Sequence, residues 1–135
     1  MTDALTEYVR GEIGKPFVWG ERDCIAFADA AIAAHTGAHP FREWLGTYKD
    51  LKGAVATAVA LRKVEGGPVA AADARWHREM TLHPRHGALV GRSADGSALR
   101  FAFGVVVAGM AAFVTQEAGV QVVPLTVFDR YWIVT

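Results

Sequence analysis

Residues 16–24 read Pro-Phe-Val-Trp-Gly-Glu-Arg-Asp-Cys, and Ile-Ala-Phe-Ala-Asp-Ala-Ala-Ile-Ala-Ala-His-Thr-Gly follows directly as residues 25–37. An aspartate before an Ala-rich run is a helix cap, and Cys24, Phe27, Ala28, Ala31, Ile32 and His35 fall on one helical stripe that ends before Gly37. The only cysteine of the chain therefore stands in the first turn of a long helix. There the helix dipole and the free backbone N–H groups favour a thiolate, while the neighbouring Asp23 carboxylate opposes a second anion. Position alone leaves two roles for Cys24: a nucleophile, or a small apolar residue that begins a core stripe.

Working outward, Leu51, Ala54, Val55, Ala58 and Val59 mark a second amphipathic helix closed by Gly66, Gly67 and Pro68, and a shorter helix is expected over Thr2–Gly11. Composition then changes: 16 of the 24 alanines precede Gly87, and 10 of the 16 valines follow it. Alanine favours helix and valine strand, so helices should give way to a sheet. Strands are expected over 87–91, 99–108, 111–114, 120–123 and 131–134. Asp95-Gly96 within Ser93–Ser97 is the clearest hairpin turn, and Gly109-Met110 a weaker one. These elements predict an α+β architecture over residues 1–135, one domain with N-terminal helices packed on a C-terminal antiparallel sheet.

Composition excludes several classes of function. The 14 Lys and Arg balance 14 Asp and Glu, which leaves no net charge to hold a phosphate backbone, so no nucleic-acid partner is expected. No Cys/His cluster has metal-ligand spacing, and neither a metal nor a cofactor is expected. The longest uncharged apolar run, Phe101–Val114, is shorter than a membrane span and is broken by Gly104 and Gly109; residues 1–12 hold no apolar stretch of the kind a signal peptide requires. Neither membrane insertion nor export is expected. A neutral chain that is 52% apolar gains little solubility from charge, which favours a component of an assembly.

The segment PFVWGERDC resembles the entry motif of the NlpC-type papain-like cysteine peptidases, in which Pro-Tyr-x-Trp-Gly precedes an Asp-Cys-Ser-Gly nucleophile. The resemblance extends to a phage-encoded, tail-associated branch of that superfamily, whose members carry PF-x-WG-x-x-DC, a helix, Thr-Gly, an Arg-Gly-x-Tyr-like segment, a Gly-Asp strand, a Gly-Val-Val-x-Gly strand, Pro-Leu and a terminal Trp. The chain offers Thr36-Gly37, Leu45-Gly46-Thr47-Tyr48, Gly104–Val107, Pro124-Leu125 and Trp132 in that order. A papain-like fold is what the resemblance implies. It also implies a lesion: Ile25-Ala26 stands in place of Ser-Gly, Gly87-Ala88 in place of Gly-Asp, and Ala102 where the peptidases open a strand with the catalytic histidine. Without that imidazole, a papain-like site lacks both its base and its acid.

Five histidines remain. His35 is expected to complement a helix end, His39 to lie in an exposed loop, His77 on the solvated stretch 73–79, and His83 in a connection. His86, at the start of the first expected strand, is the candidate for a relocated base facing Cys24. Trp19 and Trp132 are expected in the core, whereas Trp44 and Trp76 have charged neighbours. Arg42, Trp44 and Tyr48 form the interface patch the sequence favours. The resemblance implies a structural component of a phage tail tip or baseplate, assembled in the host cytoplasm and acting through contacts with hub, distal-tail or tape-measure proteins. The alternative is an active peptidase or amidase cleaving peptidoglycan stem peptides during DNA entry, with Cys24 as nucleophile and His86 as base.

Overall fold

The computed structural model describes residues 3–45, 47–94 and 100–134. Its helices are α1 (Ala4–Glu12), α2 (Cys24–Thr36), α3 (Leu51–Glu65) and α4 (Pro68–Arg75). Its strands are β1 (His77–Glu79), β2 (Leu89–Ser93), β3 (Phe101–Val107), β4 (Met110–Thr115), β5 (Gly119–Val123) and β6 (Arg130–Ile133). The strands form one antiparallel sheet in the order β1-β6-β2-β3-β4-β5. The α+β class expected from the sequence is therefore present, with a β2–β5 meander extended by the return of β6 beside β2.

Three aspartates start helices. Asp3 accepts from the Thr6 N–H at 2.8 Å, Asp23 from Ala26 at 2.9 Å and Asp50 from Gly53 at 2.8 Å, each satisfying a donor that the first turn leaves unpaired. Gly37 and Gly66 end α2 and α3 in the left-handed region, at φ 83° and 86°. One helix and one strand depart from expectation. The stretch 73–79, read as solvated, contributes the end of α4 and all of β1, because its charges have distant partners. Asp73 accepts the indole N–H of the fully buried Trp132 at 2.8 Å, and Arg75 binds Glu43 and Glu65. The second hairpin turn also moves by one residue, to Ala108 and Gly109 at φ 50° and 77°. Two positive φ angles match the twist of the flanking strands. The other expected turn, Asp95-Gly96, lies outside the described residues, as does the expected first residue of the next strand, Leu99.

The main core lies between the helices and the sheet, where Leu5 and Val9 of α1 and Phe27, Ala28, Ala31 and Ile32 of α2 meet Phe101, Phe103, Val105 and Trp132. Alternation along β3 turns its odd-numbered residues toward α2, while Ala102 and Val106 join Val90, Ala111, Phe113 and Tyr131 on the other face. Burial on α2 exceeds the expected stripe, because the segment after it folds back: Asp29, also buried, accepts the Phe41 N–H at 2.9 Å and lies 2.6 Å from His39 Nδ1. His39 lies in an exposed loop, as the sequence suggests, and its ring there also meets Asp29. Among the described residues, no helix is long and apolar enough to cross a membrane.

Candidate functional site

The segment leading to Cys24 is held at both ends. Gly14 donates to the Val120 carbonyl at 2.9 Å and Val120 donates to the Lys15 carbonyl at 3.0 Å, so residues 14–15 run along the edge of β5. A tight turn follows, with hydrogen bonds between Val18 and Arg22, and the Arg22 side chain reaches back to Glu12 at 3.0 Å. Asp23 then closes the segment: one carboxylate oxygen caps α2 and the other accepts the Gly20 N–H at 2.8 Å. Gly20 has φ +80° and packs on the backbone of 48–49, where a Cβ would lie 3.2 Å from both Lys49 Cα and the Tyr48 carbonyl oxygen. Tyr48 is buried nearby, and that burial together with the Asp23 carboxylate raises its phenol well above the ordinary range.

Cys24 is half-buried at the floor of a cleft of about 190 Å³. Phe17, Trp19, Trp44 and Tyr48 form aromatic walls, Ala54, Thr57 and Leu61 of α3 close one side, and Ala102 with Val114–Glu117 close the other. Phe17 and Trp19 meet edge to face at 4.7 Å, and the Arg75 guanidinium lies 5.0 Å from the centre of the Trp44 ring. Burial pushes the Cys24 thiol up to about 11, and the Asp23 charge adds to this against a main-chain hydrogen bond from Phe103. The expected pull of the helix N-terminus toward a thiolate is overcome by desolvation.

The residues singled out by sequence do not all meet here. Ala102 contributes to the Cys24 cleft, but the described residues lining it include no histidine. His86 lies elsewhere. Its Nδ1 accepts the Ala108 N–H at 3.0 Å, which places the ring proton on Nε2, and Nε2 is 2.8 Å from the Asp3 carboxylate. The His86 ring also meets the ring of His35, in the last turn of α2, at 5.5 Å. His86 is thus at the end of α2 remote from Cys24, about 16 Å along the helix at its usual rise per residue, and is not its base.

The interface patch is likewise redistributed. Arg42 is exposed, but Tyr48 is buried and Trp44 packs on Phe41 at 5.1 Å, so these two rings build the cleft and the core instead of a free surface. Trp76 also turns inward, 5.3 Å from Phe41. Trp19, expected in the core, lines the cleft. The exposed apolar side chains instead include Met80 and Leu82 after β1 and Val127 and Phe128 before β6, all 76% to 87% exposed. They border one shallow depression. The signal in the sequence is the apolar residues Met80, Leu82, Val127 and Phe128 in two short connections. Among the described residues no group of three His, Cys, Asp or Glu side chains is placed to hold a metal ion.

Among known families, the chain matches across residues 1–134 the model described as a domain of unknown function, DUF6950. No curated protein and no solved structure matches it.

Proposed function

The chain belongs to the DUF6950 family, and from that premise we propose that it is a non-catalytic structural component of a phage tail tip or baseplate, built on a degenerate papain-like fold. The observation that carries the loss of catalysis is the composition of the Cys24 cleft: the thiol is there, the described lining residues include no imidazole, and Ala102 stands where the resemblance expects one. A thiol whose proton burial holds tightly, with no imidazole among the described lining residues to take that proton and pass it to the leaving amine, lacks the proton traffic of papain-like peptide cleavage. The tail assignment draws on the order of motif segments along the chain. A role through contacts with hub, distal-tail or tape-measure proteins is supported by the apolar side chains that Met80, Leu82, Val127 and Phe128 hold in water.

Two measurements test the two halves of this reading. Purified particles of the phage or prophage that encodes the chain are expected to contain it, detected as its peptides by mass spectrometry; particles that assemble and infect without it overturn the tail assignment. The purified protein is expected to release no peptide from peptidoglycan fragments. Release that disappears in Cys24→Ser overturns the non-catalytic reading and restores the peptidase.

A further inference from the structure

We propose that the cleft beside Cys24 is a binding site for a small, neutral, apolar molecule about the size of a single aromatic ring. The inference rests on the non-catalytic reading, since a cleft without its acid–base group retains only shape and polarity with which to act. Size comes first. The cleft encloses about 190 Å³, and an apolar protein cavity of about 150 Å³ is enough to admit benzene. Its walls supply aromatic faces, with Phe17, Trp19 and Trp44 around the opening. Such walls reward burial of apolar surface and the stacking of one more ring.

Charge then narrows the class. The described lining carries two carboxylates, Asp23 and Glu117, and no lysine, arginine or histidine. An anion would be desolvated against negative charge, and Arg75, behind the Trp44 ring, is already paired with Glu43 and Glu65, so free acids and phosphates are disfavoured. Polar recognition is also limited. Asp23 is committed to the Gly20 and Ala26 N–H groups, Thr57 donates to the Gly53 carbonyl at 3.0 Å, and Thr115 accepts from Ala118 at 3.0 Å. A peptide entering side chain first would bring a row of backbone N–H and C=O groups to a described lining whose further polar groups are only Gln116, Glu117 and the Tyr48 and Thr115 hydroxyls. The observations therefore favour a free small molecule over an apolar side chain of a partner.

The test uses the intact protein with toluene, benzoate and N-acetylphenylalanine amide as probes. Toluene is expected to change the emission of Trp19 and Trp44 saturably and to slow modification of Cys24 by methyl methanethiosulfonate. Benzoate, of similar size but charged, should bind about tenfold more weakly or worse. Thr57→Leu fills the cleft from α3 and should abolish toluene saturation while thermal unfolding stays cooperative; should that variant fail to fold, protection of Cys24 in the unmodified protein decides alone. The proposal is overturned by a linear, unsaturable response to toluene with no protection of Cys24, by equal affinity for benzoate, by toluene binding that survives in folded Thr57→Leu, or by tighter binding of N-acetylphenylalanine amide, which assigns the cleft to a peptide side chain. Cys24-dependent hydrolysis of peptidoglycan would remove the non-catalytic reading and leave the toluene isotherm standing, whereas a missing isotherm would remove the ligand and leave that reading intact.

Discussion

At the first turn of α2 the Cys24 thiol lies among aromatic rings; at its last turn His35 packs against His86, which meets the Asp3 carboxylate. Among the described residues, one end of the helix holds a thiol with no imidazole beside it, and the other an imidazole beside a carboxylate with no thiol. Proton transfer needs heavy atoms within about 3 Å, or a single bridging water, and the helix keeps these groups roughly five times farther apart. The difference teaches that possessing the residue types of a thiol hydrolase is separate from possessing its site. Environment reinforces the separation, since burial and Asp23 favour the protonated Cys24 thiol while His86 spends Nδ1 on the Ala108 N–H.

The strongest way to break the comparison is to weaken the shaft that keeps the two ends apart. Phe27 is fully buried on the core face of α2, one turn from its start, so Phe27→Ala should cost ~3 to 5 kcal/mol in urea unfolding, through lost transfer energy and a cavity. An unchanged midpoint would show that α2 is not held by this face. Next in size is the alkaline limb of stability. The folded protein holds the Cys24 proton more tightly than the unfolded chain, so this stabilisation is complete below the ordinary thiol value of 9.0 and is lost as pH rises through about 11. Tyr8, raised to about 12 by burial and by Glu12, extends the loss to higher pH. Unfolding measured from pH 9 to 11 should show Cys24→Ala to be less pH-dependent by about 2 kcal/mol; parallel curves would mean that the thiol titrates normally.

A smaller effect concerns the rate of thiol chemistry. At pH 8, iodoacetamide should alkylate Cys24 about tenfold more slowly in the folded protein than in the urea-unfolded chain, because a smaller thiolate fraction is partly offset by a more nucleophilic thiolate. Equal or faster alkylation of the folded protein would reveal an activated cysteine. The smallest effect belongs to the other end. The Thr6 N–H, and after it His86, hold the Asp3 carboxyl down to about 2, so its contribution is present above the ordinary value of 3.8 and fades as pH falls through about 2. Asp3→Asn should shift the urea midpoint at pH 7 least of all these changes and leave Cys24 alkylation untouched. A change in alkylation rate would mean that the two ends communicate.

Local chemistry was the legible part of the sequence. Asp23, Gly37 and Gly66 mark helix ends by side-chain oxygen and positive φ, properties that neighbours in sequence determine. The change from alanine to valine announced the sheet for a similar reason. What escaped depended on partners far along the chain. Asp73 looks like a surface charge until Trp132 donates to it, and Tyr48 looks like a surface aromatic until Asp23 and the first turn of α3 enclose it, with Gly53 so close that a Cβ there would lie 2.9 Å from Tyr48 Cβ. The candidate site was half legible. Cys24 at a helix start followed from the cap, and Ala102 beside the cleft from the resemblance, but the position of His86 depends on how β2 and β3 register against α1 and α2.

The pairing of Gly14 and Lys15 with Val120 fixes a sequence of events as well as a geometry. The β3–β4 connection needs only two residues to bring its strands together, whereas joining Lys15 to Val120 closes a loop spanning most of the chain and carries a correspondingly larger entropic cost. Gly119 leaves no slack in that closure, since a Cβ there would lie 2.3 Å from the Lys15 carbonyl oxygen. Hairpins therefore have a kinetic head start over the segment that carries Phe17, Trp19 and Cys24. Loop-closure entropy thus favours an order of events in which the hairpins form first and the walls of the cleft close over the thiol afterwards.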